Sequence, residues 1–96
     1  MDVLLTGGSG DLGTAVARRL AARGDTAVRF DLRPPAAGHG RYVPGSVLDR
    51  AALAAATAGM GCVIHIAAWH GIHERDGSKD VHDFWELNVR GTFEVC

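Results

Sequence analysis

Four glycines between a short apolar run and a helical pattern constrain this chain more than any other feature. Residues 6–13 read TGGSGDLG, which fits the spacing G-x-G-x-x-G through Gly8, Gly10 and Gly13. The same residues fit G-x-x-G-x-x-G when the count starts at Gly7. The early glycines permit a tight turn with positive φ, and Gly13 allows a helix to pack close against a strand. We therefore predict a strand, a turn and a helix in that order.

Such a turn is typical of a pyrophosphate site. Because Gly10 has no Cβ, phosphates can approach the backbone there and lie over free N–H groups at the amino end of the helix. Glycines are common in turns, but here they stand between a predicted strand and a predicted helix. Asp31 closes the second predicted strand, roughly 20 residues further on, where an acid accepts hydrogen bonds from the adenosine ribose. The motif and the acid together predict a dinucleotide site.

Asp31 also favours NAD over NADP, because its carboxylate would repel the 2′-phosphate of NADP. Arg33 is the opposing observation, since a nearby arginine can bind that phosphate. The alternative for Asp31 is a solvated aspartate at a strand end. We expect NAD to bind more tightly than NADP.

Hydrophobic periodicity predicts alternating strands and helices. Leu12, Val16 and Leu20 should form the buried stripe of the first helix, and Asp49 should cap the second. The alternation and the short connections predict an α/β fold, the N-terminal half of a Rossmann-like doubly wound parallel sheet with about four strands and three helices. The predicted strands cover residues 1–5, 26–31, 41–44 and 62–67, and the predicted helices cover residues 11–23, 50–58 and 80–96.

Composition argues against several classes of protein. A formal charge of −1 and 47% hydrophobic residues describe a globular domain without the basic surface of a nucleic-acid or membrane binder. No apolar run approaches the ~20 residues that span a bilayer, and no charged leader precedes the first strand. We expect a soluble, cytoplasmic protein with no nucleic-acid or membrane partner. Cys62 lies in an apolar run and is expected to be a buried free thiol.

Four segments together resemble the extended branch of the short-chain dehydrogenase/reductase family, the NAD-dependent epimerase/dehydratase type. These segments are LLTGGSGDLG at residues 4–13, Asp31, VIHIAA at residues 63–68 and NVRGT at residues 88–92. They occur in the family's order and span almost the whole chain. The resemblance implies that residues 1–96 are an NAD(P)-binding Rossmann domain, incomplete at its C-terminus.

The resemblance also implies a set of cofactor contacts. Asn88 would reach the cofactor or order the nearby loop, although a buried asparagine that only bonds backbone is an equal alternative. Ser46 stands where the family usually has an acid that touches adenine. The implied contacts are, at the pyrophosphate, Gly7, Gly10, Asp11, Leu12 and Gly13; at the ribose, Asp31; at adenine, Ser46 and Val47; and beneath the cofactor, Ile66, Ala67 and Ala68.

The family's catalytic pair is not found in these residues. In the family, a Tyr-x-x-x-Lys motif supplies a tyrosine whose pKa the lysine lowers, so that the phenol acts as acid or base. Tyr42 and Lys79 are the one tyrosine and the one lysine of this chain, and they lie far apart. We therefore assign no catalytic residue, and we expect the family's substrate domain to be absent.

Two functions follow from different classes of protein. The chain ends at Cys96 inside an apolar helix, which favours the cofactor half of an NAD-dependent epimerase, dehydratase or reductase, cut short. Its substrate in the full-length parent would be a sugar nucleotide or a similar hydroxyl or carbonyl compound. The alternative is a non-catalytic NAD(P)-binding or redox-sensing module, which the missing Tyr-x-x-x-Lys motif favours.

Histidines and acids gather between residues 65 and 83 without the spacing of a metal site. His65 lies inside a predicted strand, and His70 and His73 lie in a glycine-containing loop, so we predict no metal. The resemblance places Trp69 and His70 near the nicotinamide and substrate pocket. A solvated loop is the alternative.

The last predicted helix, from Asp80 to Cys96, is too apolar to contact the sheet with one face only. In the resembling family this helix packs across a two-fold axis, so we predict that the chain forms a homodimer through it, with aggregation as the alternative. Its apolar residues are Phe84, Trp85, Leu87, Val89, Phe93 and Val95.

Overall fold

The structure is a computed structural model that describes residues 1–36, 38–68 and 77–96. Strands and helices alternate along it except that a loop joins the second strand to the third, and the bounds of the elements agree with the predicted ones to within two residues. The last three elements are continuous, and we call residues 81–95 the final helical stretch. In chain order the elements are β1 (Asp2–Thr6), α1 (Asp11–Ala22), β2 (Thr26–Asp31), β3 (Arg41–Pro44), α2 (Arg50–Thr57), β4 (Cys62–His65), α3 (Val81–Phe84), a π-helical segment (Trp85–Gly91) and α4 (Thr92–Val95).

The four strands form one parallel sheet in the order β3-β2-β1-β4. After β3 the chain returns past β2 and β1, so the order reverses between β1 and β4. This arrangement confirms the predicted doubly wound α/β fold. In open parallel sheets, ligands bind outside the carboxyl ends of the strands at such a reversal.

Both faces of the sheet are covered, which is why β1 is apolar along its whole length. Leu4 belongs to a core that β2, α2 and the final helical stretch complete on one face. Val3 and Leu5 belong to a second core, which residues of α1 and β2 complete on the other face. Helices therefore pack against both faces of the sheet, and the carboxyl ends of its strands remain open.

The prediction for the buried stripe of α1 was wrong at Leu12. The buried residues of α1 are Gly13, Ala17 and Leu20, whereas Leu12 is 61% exposed. Leu12 lies in the first turn of the helix, where it borders an open cleft rather than the sheet. The small residues at positions 13 and 17 let the helix approach β1 closely.

The prediction of a buried thiol at Cys62 was also wrong, because Cys62 is exposed. It starts β4, which pairs with β1 on one side and forms an edge of the described sheet. An edge strand has a neighbour on one side only, and the apolar pattern of CVIH does not reveal that position. Within the described ranges, no helix has the length and apolar character needed to cross a membrane.

Reciprocal hydrogen bonds fix the start of the final helical stretch. The amide of Asp80 donates to Asp83 Oδ2 at 2.9 Å, and the amide of Asp83 donates to Asp80 Oδ1 at 3.0 Å. This is the geometry of a capping box. The bond from the Asp83 amide holds the pKa of the Asp80 carboxyl below its usual range. Further along, Arg90 and Glu86 form an i,i+4 ion pair at 2.7 Å.

Candidate functional site

The carboxyl ends of all four strands open into one cleft of about 880 Å³. Each strand contributes the residues at its end or just after it, and the final helical stretch contributes one. Eleven of the twelve predicted cofactor contacts line the cleft, and Asn88 does not. The lining residues are Gly7, Gly10, Asp11, Leu12, Gly13, Phe30, Asp31, Leu32, Arg33, Gly45, Ser46, Val47, Ile66, Ala67, Ala68 and Leu87.

The glycine turn is held tightly between the ends of β2 and β4. Gly7 has a φ of +66°, and a Cβ there would lie 2.8 Å from the Ala67 amide nitrogen, so no other residue fits. The amides of Gly7 and Gly8 both donate to the Phe30 carbonyl, at 3.0 and 3.4 Å. The turn therefore has a fixed position at the reversal point of the sheet.

Gly10 and Gly13 have different reasons to be glycine. A Cβ on Gly13 would lie 2.6 Å from the carbonyl carbon of Gly8, so close packing of α1 on the turn requires glycine. A Cβ on Gly10 would meet only the Gly7 carbonyl oxygen, at 3.8 Å. The protein's own packing therefore leaves room for a side chain at Gly10, which faces the cleft. An open backbone surface at this point fits the close approach of a pyrophosphate.

The first turn of α1 presents backbone N–H groups at the cleft. Gly10 is the N-cap and has no side chain to bond them, and the first intrahelical bond runs from Thr14 N to Gly10 O at 2.9 Å. Within the described part of the chain, the amides of Asp11, Leu12 and Gly13 meet no acceptor. Free amides at the positive end of a helix dipole are suited to an anion.

Asp31 connects the end of β2 to the glycine turn. Its Oδ2 accepts from the Ser9 amide at 3.1 Å, and its Oδ1 accepts from the Arg33 amide at 3.2 Å. The residue is half-buried, so it is not the freely solvated aspartate of the alternative reading. Because each carboxylate oxygen accepts more than one hydrogen bond, Asp31 retains capacity toward the cleft. Beside it, the buried Ser9 hydroxyl has no hydrogen-bond partner among the described residues.

The loop after β3 forms one wall of the cleft. Ser46 Oγ accepts from the Leu48 amide at 3.1 Å, and Asp49 caps α2 by accepting from the Ala52 amide at 3.1 Å, as predicted. Val47 is only 3% exposed, so it forms the floor of the cleft rather than a projecting contact.

A hydrogen-bonded chain runs from β1 through His65 to the final helical stretch. Thr6 Oγ1 accepts from the amides of residues 66–67, at 3.0 and 3.3 Å, and lies 2.5 Å from His65 Nδ1. Since its acceptor sites are used, the hydroxyl donates to Nδ1, which leaves Nε2–H to donate to Thr92 Oγ1 at 3.0 Å. Thr92 then donates to the Asn88 carbonyl at 2.6 Å. The network requires neutral His65, and burial lowers the pKa of this imidazole.

Several residues singled out from the sequence have no place in this cleft. Tyr42 donates its hydroxyl to the Asp31 carbonyl at 3.2 Å, a structural contact. The portion of the chain that is described holds no group of three or more metal-ligating side chains. The remaining candidates lie outside the described residues, namely Trp69, His70, His73, Glu74 and Asp76.

Sequence reasoning missed some lining residues and one buried charge. Phe30, Leu32 and Gly45 are neighbours of predicted contacts, so adjacency could have suggested them. Leu87 belongs to the final helical stretch, and no short motif indicates that this helix returns to the cleft. Arg29 gave a clear signal, a charged residue inside the apolar strand TAVRFD.

Fold and cleft together define a Rossmann-type domain with a glycine turn at the reversal of its sheet. The sequence matches the NAD dependent epimerase/dehydratase family over residues 3–96, and the chain belongs to that family. The resemblance seen in the sequence is thus confirmed.

Three similar proteins illustrate the relationship. The uncharacterized protein y4nG of Sinorhizobium fredii is 34% identical over 91 residues, which are 93% of this chain and 22% of that protein. A short-chain dehydrogenase/reductase superfamily protein from Agrobacterium tumefaciens, solved with bound NAD, is 35% identical with a TM-score of 0.79, over 99% of this chain and 27% of that one. The UDP-glucose 4-epimerase from Brucella ovis, solved in complex with NAD, is 31% identical with a TM-score of 0.76, over 98% of this chain and 30% of that one. This chain spans less than a third of the length of each.

Proposed function

We propose that this chain is the NAD-binding portion of an NAD-dependent epimerase, dehydratase or reductase. The observation that carries the proposal is the joint lining of one cleft by the free amides of residues 11–13 and the carboxylate of Asp31. The two groups suit the two ends of an adenosine diphosphate moiety, since amides bind phosphate and a carboxylate binds ribose hydroxyls. Solved relatives that carry NAD support the same assignment.

The proposed contacts follow the order of the strand ends across the cleft. The glycine turn holds the pyrophosphate, Asp31 the ribose, and Ser46 and Val47 the adenine. The segment after β4 passes beneath the rest of the cofactor, and Asn88 orders the helical side of the cleft through its neighbour Leu87. When bound, the nicotinamide ring supplies a hydride donor or acceptor, while this chain's residues bind and orient it. The proposed contacts are Gly7, Gly10, Asp11, Leu12, Gly13, Asp31, Ser46, Val47, Ile66, Ala67 and Ala68, and Asn88, which does not line the cleft, is proposed as a positioning residue.

NAD is preferred over NADP in this proposal. Asp31 carries a negative charge at the site of the ribose hydroxyls, and a 2′-phosphate there would be repelled. Arg33 also lines the cleft, but its amide is bonded to Asp31 and its exposed side chain is free to remain in solvent. The balance therefore favours the unphosphorylated ribose.

Calorimetric titration of the complete protein with NAD+ and NADP+ tests the proposal. We expect tighter binding of NAD+, and we expect Asp31→Ala to weaken NAD+ binding by about tenfold, the scale of a charge-assisted hydrogen bond. The control is Asp2→Ala, an exposed acid at the opposite end of β1, which should bind as the wild type does. Absence of NAD+ binding would overturn the proposed function, and tighter NADP+ binding would show that Arg33 governs the site.

The substrate proposed for the complete protein is a sugar nucleotide or a similar hydroxyl or carbonyl compound. The Brucella ovis relative, a UDP-glucose 4-epimerase, supports this class. Tyr42 is engaged with the Asp31 carbonyl, so these residues offer no tyrosine positioned as an acid or base. We therefore expect no turnover from residues 1–96 alone. The hydrogen bond of Tyr42 also favours the second candidate function for residues 1–96, a non-catalytic NAD(P)-binding module.

Homodimerisation through the final helical stretch completes the proposal. Three apolar side chains at spacings of four residues are exposed, namely Trp85 (62%), Val89 (48%) and Phe93 (75%). Such a row is a recognised feature of helices that pack against a partner. The side chain of Phe84, included in the predicted apolar set, lies outside the described part.

A further inference from the structure

Arg29 is a fully buried arginine directly behind the glycine turn. It lies in the middle of β2 between apolar Val28 and Phe30 and is only 1% exposed. Arginine cannot lose its charge in a protein, and burial of a charge is costly unless its donors are bonded. The hydrogen-bond partners of its guanidinium should therefore explain why this arginine is buried.

The guanidinium of Arg29 joins the glycine turn to α1. Its Nε donates to the Gly8 carbonyl at 2.8 Å, and its Nη2 donates to Thr14 Oγ1 at 2.6 Å. Gly8 lies in the turn itself, and Thr14 lies just after the free amides of residues 11–13. One rigid fork therefore holds both ends of the backbone segment that presents those amides.

The same guanidinium reaches the loop after β2. A Cβ on Gly38 would lie 2.8 Å from Nη1, so the loop passes directly over the arginine head. The charge is thus enclosed between β2, the turn and this loop, and the turn separates it from the cleft. In a region of reduced dielectric, a fixed positive charge attracts an anion on the far side of the turn more strongly than it would in water.

We propose that Arg29 is a positioning residue for the pyrophosphate of the cofactor. This inference rests on the proposed function and deepens it. Arg29 does not touch the ligand; it acts through the backbone of Gly8 and the hydroxyl of Thr14, and its charge adds to the potential at the free amides. A purely structural arginine would affect all ligands of the cleft alike, whereas a positioning residue affects those that carry phosphates.

Titration of the complete protein with NAD+, ADP and adenosine tests the role of Arg29. For Arg29→Gln we expect ADP to bind about tenfold more weakly, because the turn loses its bridge to α1 and the phosphates lose the attraction of a nearby fixed charge. Adenosine, which has the same base and ribose without phosphates, should bind as it does to the wild type. Arg18→Gln is the matched control, because Arg18 is exposed on α1 and should leave all three affinities unchanged.

Arg29→Lys keeps the test decisive if Arg29→Gln does not fold. Lysine retains the charge but cannot bridge two acceptors as the planar fork does. We expect ADP affinity between those of the wild type and Arg29→Gln, with adenosine affinity unchanged. Equal losses for ADP and adenosine, or wild-type ADP affinity in either variant, would overturn the role of Arg29. If wild-type protein fails to bind NAD+, the proposed function fails instead, so the two results are distinguishable.

Discussion

Two glycines three residues apart in the turn before α1 have opposite surroundings. Gly13 is enclosed by the backbone of residues 7 and 8, whereas Gly10 faces the open cleft. Both belong to the same sequence motif, and the motif does not say which glycine serves the fold and which serves the ligand. The two roles are distinguished by what a Cβ added at each glycine would contact.

Alanine at these two positions should therefore have different effects. We expect Gly13→Ala to lower the free energy of unfolding by about 1–3 kcal/mol, the usual cost of overpacking, as its Cβ would meet backbone. Gly10→Ala should leave stability unchanged or slightly raised, because it reduces the freedom of the unfolded chain, and should weaken NAD+ binding.

Urea unfolding and NAD+ titration of both variants make the comparison. Unchanged NAD+ affinity in Gly10→Ala would show that no phosphate approaches this residue. Unchanged stability in Gly13→Ala would show that α1 can move away from the turn at little cost.

At the residue scale, the sequence predicted the lining of the cleft well except on the helical side. The contacts from the turn, from Asp31 and from residues 66–68 follow directly after strands, and the carboxyl ends of parallel strands meet at one edge. Asn88 was implied by the family resemblance, whereas Leu87 is the residue of this helix that lines the cleft. Residues 85–91 are π-helical, which the sequence did not indicate.

Among the elements, β4 and the final helical stretch are joined through a single imidazole. His65 is neutral in this network, and burial lowers its pKa. The unfolded value is about 6.5, so the unfolded chain binds the proton more readily than the folded one. Stability should therefore be complete above about pH 6.5 and should fall as the pH drops toward the folded pKa.

We expect a lower urea midpoint near pH 5 than near pH 7, and a smaller difference in His65→Gln. His39→Gln, at an exposed position in the loop after β2, should retain the wild-type difference. Asp25 and Asp80 also have shifted pKa values, but both are lowered from 3.8 and titrate below this window. An undiminished pH effect in His65→Gln would assign the effect to other groups.

The elements themselves were predictable because each carries its own local signal. Gly24, with a φ of +85°, follows α1, and Asp49 precedes α2, and both are standard helix boundaries. The π-helical segment has no such signal. It accompanies a tertiary contact, since a Cβ on Gly91 would lie 2.8 Å from Val47 Cγ2. Local propensity does not report which distant loop a helix will meet.

At the scale of the whole molecule, we propose that the exposed apolar row of Trp85, Val89 and Phe93 forms the dimer interface. We expect the complete protein to sediment as a dimer, and Trp85→Glu to weaken dimerisation by about tenfold or more, as for a central interface tryptophan. Ala15→Glu adds the same charge at an exposed position of α1 and should leave the dimer intact. A wild-type monomer, or a dimer unaffected by Trp85→Glu, would contradict this interface.

The fold class was predictable from the glycine turn and the alternation of elements, but strand neighbours were not. Cys62 and Val28 both lie in apolar runs, yet Val28 is in an inner strand and Cys62 in an edge strand. The burial of a strand residue depends on the order of the strands in the sheet. That order is decided by long-range packing, which a local hydrophobic pattern does not encode.

The inner position of β1 also bears on how the protein is made. β1 is synthesised before β2 and β4, but its Val3 pairs with Cys62, which leaves the ribosome much later than the β2 partners. In the meantime a nascent chain exposes an unpaired apolar strand edge, a template for aggregation. The speed of translation across residues 32–61, and the chaperones that meet the emerging chain, should therefore influence the yield of native protein independently of its final stability.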